Sequence, residues 1–217
     1  MLRIKRFINE LMTSNCYIVW DEESHKCVVI DPASEKSKQE IDFIHTMSLK
    51  LDYILLTHEH TDHNWGVNSL LNSYPVAKVV CHEIAKVNID TESKAYFRLY
   101  YDNPTYSYRV QRVDIVIDQD EFEIDWNGTV IRFIHTPGHS MGSECILVNS
   151  WLFTGDTILQ AKPYVNKRTG SKELLKESIQ KILTIFDGEQ MICPGHGDQF
   201  RLKNYSIPYG ISDKENI

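Results

Sequence analysis

Three histidines and an aspartate fall within a single stretch of six residues, His58-Glu59-His60-Thr61-Asp62-His63, directly after Thr57 and the apolar run Leu51 to Leu56. That run reads as a buried strand, so the fold must deliver imidazoles and a carboxylate to the end of a sheet. Burying so many polar rings without partners would cost several kcal/mol. In a chain of this composition, H-x-H-x-D-H arises by chance roughly once per thousand sequences of this length. A shared ligand is the simplest explanation, and the residue types suit a metal ion.

Alternate residues on an extended segment point to the same side. His58 and His60 would therefore reach one cation, while the following turn swings Asp62 and His63 toward a second. The chain offers the missing ligands in matching contexts: His139 in Thr136-Pro137-Gly138-His139, Asp156 in Phe153-Thr154-Gly155-Asp156, and His196 in Pro194-Gly195-His196-Gly197. Each follows an apolar strand and has a glycine beside it, which permits turns that a Cβ would hinder. Five histidines and two aspartates suit zinc, and iron and manganese accept the same donors.

The rest of the pattern is α/β. Leu2 to Ile8, Cys16 to Trp20 and Cys27 to Ile30 read as a strand meander. A helix beginning near Ser34, with Ile41, Phe43, Ile44, Met47 and Leu49 as its apolar face, leads into the strand Leu51 to Leu56. A helix around Trp65 to Ser73 and a strand at Lys78 to Cys81 follow. Residues 90 to 112 are rich in tyrosine and charge without a clean period, and are left open between a helix and a lid. In the second half, Glu121 to Asp125 and Thr129 to Ile134 flank Asn127-Gly128, a strong hairpin signal. Strands at Cys145 to Val148 and Trp151 to Thr154 precede a helix from Ser171 to Phe186, with Leu175, Ile179, Ile182, Leu183 and Phe186 on one face. The last strand is Gln190 to Cys193. No Pro/Gly/Ser linker interrupts residues 1–217, which predicts one domain built of two similar halves.

Composition excludes several classes of function. With 42% hydrophobic and 24% charged residues, the chain is expected to be globular and soluble. A net charge of −7 argues against nucleic acid as a partner. No run of apolar residues is long enough to span a membrane, and residues 1–10 lack a signal-peptide core, so a cytoplasmic protein is expected. Cys16, Cys27, Cys81, Cys145 and Cys193 read mostly as small core residues and not as a disulfide framework. His25, His45 and His82 read as structural or surface residues, and His135 as a packing residue or one that orients a neighbour.

The five elements around Asp31, the H-x-H-x-D-H stretch, His139, Asp156 and His196, in this order, resemble the metallo-β-lactamase superfamily. Asp31 in Val28-Val29-Ile30-Asp31-Pro32 matches that family's early strand-end aspartate. The early Asn15-Cys16-Tyr17 and the seven ligand candidates look closest to small bacterial glyoxalase II-like metallohydrolases. The resemblance implies a four-layered αβ/βα sandwich, the metallo-β-lactamase fold, with metals in the cleft between two sheets. It also implies two zinc ions, or iron or manganese in their place. His58, His60 and His139 would hold one metal, and Asp62, His63 and His196 the other, with Asp156 bridging; Asp31 would orient a ligating imidazole.

Two such cations, about 3.5 to 4 Å apart, lower the pKa of a shared water toward neutrality and provide a hydroxide nucleophile. The expected activity is hydrolysis of an activated acyl bond in a small-molecule substrate, a thioester of the hydroxyacylglutathione kind, with Asp62 beside the attacking oxygen. Lactone and β-lactam opening are close chemical relatives. A persulfide dioxygenase, which shares the fold and uses a single iron, and a metal-buffering protein without turnover are the alternatives. The chain ends soon after His196, without the basic C-terminal helices of the larger glyoxalase II proteins, so an acidic substrate would have to be met by a loop. Lys162, Tyr164, Lys167 and Arg168, close in sequence to Asp156, are the substrate-binding candidates.

Overall fold

The computed structural model describes residues 1–10, 12–102, 105–106, 108–208 and 211. They form two compact units, Met1–Ile117 and Asp118–Ile217. The first contains β1 (Leu2–Ile8), β2 (Asn15–Asp21), β3 (Lys26–Ile30), α1 (Lys38–Thr46), β4 (Lys50–Leu55), α2 (Val67–Ser73), β5 (Lys78–His82), α3 (Glu83–Tyr101) and β6 (Ile115–Ile117). Its six-stranded sheet has the order β1-β2-β3-β4-β5-β6. The first three strands are antiparallel, and β3 to β6 pair in parallel. Parallel neighbours require crossovers, and α1, α2 and α3 supply them.

Ile44 of α1, Val67, Leu70 and Leu71 of α2, and Ala85 and Ile89 of α3 pack with Ile18, Val29, Ile54 and Val79 of the strands. Their neighbours along the strands, Val28, Ile30, Leu55 and Val80, are equally buried. Burial on both faces is why these strands read as continuous apolar runs instead of alternating ones.

The second unit contains β7 (Glu121–Trp126), β8 (Thr129–His135), β9 (Glu144–Val148), β10 (Trp151–Gly155), α4 (Lys172–Ile185), β11 (Met191–Pro194) and β12 (Phe200–Arg201). The sheet order is β12-β11-β10-β9-β8-β7, with β10 and β11 parallel and the other pairs antiparallel. Asn127 and Gly128 both take positive φ, 54° and 78°, the backbone that a two-residue hairpin between β7 and β8 requires. The Ser171 hydroxyl caps α4 by accepting from the Leu174 N–H. Leu175, Ile179 and Ile182, at helical spacing, bury against Ile134, Leu152 and Ile192 of the sheet.

The expected α/β organisation is present in both units, and the predicted strands and helices recur within a few residues of their expected ends. The segment 90–112 is resolved in favour of a helix up to Tyr101; within it, residues 103, 104 and 107 lie outside the described residues. The short strands β6 and β12 have no counterpart in the sequence reading. All five cysteines are buried thiols, as expected. Among the described residues no helix is long and apolar enough to cross a membrane.

Candidate metal centre

In the first unit, β4 ends at Leu55 and the chain bends through Thr57, His58 and Glu59 before a single 3-10 turn at Thr61–His63. His58 and His60 meet as expected, through this bend and not through strand alternation: their rings stand 4.7 Å apart, with His58 Nε2 3.1 Å from His60 Nδ1. Two imidazole nitrogens bound tetrahedrally at about 2.0 to 2.1 Å from one zinc would lie about 3.3 Å apart, so this pair fits a common ion. The turn brings His63 close as well, its ring 4.2 Å from that of His58, and puts Asp62 Oδ2 4.0 Å from His63 Nε2.

Buried polar contacts hold these rings. Asp31, at the end of β3, accepts from the Thr57 N–H at 2.8 Å and from the Thr57 hydroxyl at 2.6 Å. Its second oxygen also accepts from His63 Nδ1 at 3.0 Å. A carboxylate only accepts, so the His63 proton lies on Nδ1 and the ring's lone pair on Nε2, the form in which a histidine ligates. The Thr57 hydroxyl, its hydrogen donated to the bond with Asp31, accepts from His58 Nδ1 at 3.0 Å, which fixes His58 in the same tautomer. Asn64 closes the loop, its Nδ2 donating at 2.8 Å to the carbonyls of both Glu59 and His60.

In the second unit, β8, β10 and β11 run in one direction, so the segments carrying His139, Asp156 and His196 leave the sheet at the same edge. Asp156 Oδ2 lies 3.5 Å from His139 Nε2 and 3.7 Å from His196 Nε2, one carboxylate oxygen facing two imidazoles. His139 Nδ1 donates to the Tyr164 carbonyl at 2.8 Å, which leaves the lone pair on Nε2 toward Asp156. Gly138 has φ +145°, and a Cβ there would meet the Leu175 backbone at 2.2 Å. Only glycine fits between the start of α4 and the His139 turn.

The basic loop belongs to this arrangement through its backbone. Met141 donates to the Thr169 carbonyl, Ser171 donates to the Gly138 carbonyl, and a Cβ on Gly170 would lie 2.6 Å from the His139 carbonyl oxygen. The side chains of Lys162, Tyr164, Lys167 and Arg168 are exposed.

The other histidines are structural or on the surface. His82 caps α3, accepting from the Ile84 N–H, while His25 and His45 are exposed. His135 Nε2 donates to the Met141 carbonyl at 3.0 Å, bracing the turn that carries His139. Burial pushes the Cys145 thiol up to about 12 and holds the Cys16 thiol well above its ordinary value, so neither is a thiolate nucleophile near neutral pH. The sequence reading missed Thr57, Asn64 and the Tyr164 carbonyl. Thr57 and Asn64 do flank the histidine motif directly, whereas a backbone acceptor leaves no sequence signal.

The geometry can be set beside known proteins. The family model of the metallo-beta-lactamase superfamily matches residues 10–196. A probable polyketide biosynthesis zinc-dependent hydrolase, BaeB of Bacillus velezensis, is 29% identical, with 87% of this chain and 75% of that protein aligned. A hydroxyacylglutathione hydrolase of Francisella tularensis subsp. novicida is 33% identical over 90% of this chain and 68% of its own length. The crystal structure of the BLEG-1 B3 metallo-beta-lactamase covers 93% of this chain and 95% of its own with a TM-score of 0.79 at 20% identity, a likeness of fold. With both units inside these matches, the chain belongs to the metallo-β-lactamase superfamily and stands among its metal-dependent hydrolases.

Proposed function

We propose that the chain is a binuclear hydrolase of thioesters. In this reading His58, His60 and His139 would hold one metal ion and Asp62, His63 and His196 the other, with Asp156 available to both. Two observations, one within each unit, carry it: in the second a single Asp156 oxygen lies within 3.7 Å of two imidazole nitrogens, and in the first His58 and His63 are both fixed with Nε2 as the ligating atom. Zinc is the expected metal, and iron and manganese suit the same donors.

When bound, such a metal pair acidifies water and polarises a carbonyl. The protein's part is positional. Asp31 and Thr57 keep His58 and His63 in the ligating tautomer, and the Tyr164 carbonyl does so for His139. The Asp62 carboxylate, only partly buried, orients the attacking water and accepts its proton. No serine, cysteine or separate histidine base is required.

Thioesters are favoured over other acyl bonds by the hydroxyacylglutathione hydrolase among the relatives, whose substrate is an acyl group carried on the acidic thiol glutathione. Lys162, Lys167 and Arg168, exposed on the loop that rests on the His139 turn, would meet the anionic part of such a carrier, with Tyr164 beside them. Cytoplasmic placement and a single domain of two halves complete the proposal.

The test is a panel of glutathione and pantetheine thioesters, lactones, a β-lactam and a persulfide, run with zinc-, iron- and manganese-loaded protein. Turnover of the thioesters well above that of the lactones and the β-lactam is expected. Oxygen uptake with the persulfide, in place of hydrolysis, would replace the reading with a dioxygenase, and metal binding without any turnover would replace it with a metal-buffering protein.

A further inference from the structure

Asn9, in the turn between β1 and β2, is 1% exposed, although its side-chain amide carries two polar atoms. Both are used. Its Nδ2 donates to the Ser14 hydroxyl at 2.9 Å and to the Asp31 carbonyl at 3.3 Å. Its Oδ1 accepts from the N–H groups of Ala33 and Ser34, both at 3.1 Å, and from the Ser34 hydroxyl at 3.3 Å. Its backbone N–H donates to the Ser14 carbonyl, closing the turn. One side chain thus grips the backbone at residue 31 and again at residues 33 and 34.

The residue so gripped is unusual. Asp31 has φ +53°, a left-handed conformation that a residue bearing a Cβ adopts only when its surroundings impose it. That conformation turns the carboxylate back to accept from Thr57 and from His63 Nδ1. The Ser14 hydroxyl, held by Asn9, donates in turn to the Asp62 carbonyl. The same amide therefore reaches the supports of both His63 and Asp62.

We propose that Asn9 is a positioning residue for the metal held by Asp62 and His63: it maintains the left-handed turn at Asp31, and through Ser14 it fixes the turn that carries Asp62. This inference rests on the metal reading above. An asparagine that merely closed a loop would need neither its grip on both sides of Asp31 nor the relay through Ser14.

The experiment compares the full chain with Asn9→Ala and with the milder Asn9→Ser, whose hydroxyl is too short to span the same partners. Two measurements are made. In metal-free protein, nuclear magnetic resonance follows the His63 Nδ1–H, assigned by its loss in His63→Gln; its exchange with water should quicken at least about tenfold in the Asn9 variants. In zinc titrations against a chromophoric chelator, one of the two equivalents should lose about tenfold to a hundredfold in affinity while the other is unchanged. A folded Asn9 variant with the parent's ring-proton exchange and zinc affinities overturns the proposal. So does failure of both variants to fold, which would assign Asn9 to stability alone. If the parent takes up no second zinc, the metal reading fails, and the metal-free ring-proton comparison still decides whether Asn9 positions Asp31.

Discussion

The two units present their donors in opposite ways. In the first, four donors lie within the six residues from His58 to His63 and are held by buried side chains, chiefly Asp31, Thr57 and Asn64. In the second, His139, Asp156 and His196 come from three separate strand ends, and the support is mostly backbone: the Tyr164 carbonyl, the Gly138 carbonyl, and close packing that only glycine permits. A compact motif on one strand end needs a polar network to orient it, because the chain cannot place four side chains by strand direction alone. A dispersed set is oriented by the sheet, which aims three strands at one edge, and needs only room to turn there.

The two kinds of support should fail differently. The largest effect is expected from Asp62→Asn, which keeps the shape of the turn but removes a proton acceptor and a good ligand. Turnover should fall by about a thousandfold or more, some 4 kcal/mol of transition-state stabilisation, with the melting temperature of metal-free protein unchanged. Near-parental kcat would place the chemistry elsewhere. Gly138→Ala, on the backbone-supported side, should act on the fold. The added methyl meets the start of α4 in a backbone region closed to alanine, and a loss of about 3 kcal/mol is expected in denaturant unfolding followed by circular dichroism. A soluble, fully stable Gly138→Ala protein would erase the contrast between the two kinds of support.

Smaller effects sharpen it. Neutralising Lys167 and Arg168 together should raise KM for an acidic thioester by the equivalent of about 1 to 3 kcal/mol, leave KM for a neutral ester alone, and leave metal content unchanged. Equal KM values on the acidic substrate would return these side chains to an ordinary solvated surface. The smallest effect is expected at Glu40, a buried carboxyl on α1 whose ionisation desolvation opposes. Its pKa in the folded chain lies above the ordinary value. Over the interval between the two values the unfolded chain has released a proton that the folded chain keeps, so stability falls as pH rises through it. Glu40→Gln should gain melting temperature relative to the parent as pH rises from 4 toward 7, and match it near pH 4. A difference that does not change with pH would mean that the carboxyl is not the cause.

The contrast also explains what the sequence could disclose. The first donor set was legible from residue type and spacing alone, since His58, His60, Asp62 and His63 repeat at strand and turn intervals behind an apolar run. His139, Asp156 and His196 are single residues in separate glycine turns, and only their order along the chain ties them to the first set. The buried strands and the amphipathic helix α4 were legible because burial writes itself as apolar runs and helical periodicity. The helix α3 was not, because its buried positions, Ala85, Ile89, Tyr96 and Phe97, are sparse and mixed with tyrosine and charge. The strands β6 and β12 are three and two residues long, too short to carry a period. Asn9 and Ser14 gave no signal, because an asparagine or serine in a turn has the same appearance whether it faces water or braces a buried turn.

The central claim is that the two donor sets together hold two metal ions, and counting those ions tests it most directly. Metal-free protein reconstituted with excess zinc, freed of loosely bound ion and measured by plasma emission spectrometry, should carry two equivalents per chain. His63→Ala and His139→Ala, one change in each unit, should each reduce the count toward one. A parent protein that never exceeds one equivalent, or a count that either substitution leaves at two, would contradict the account.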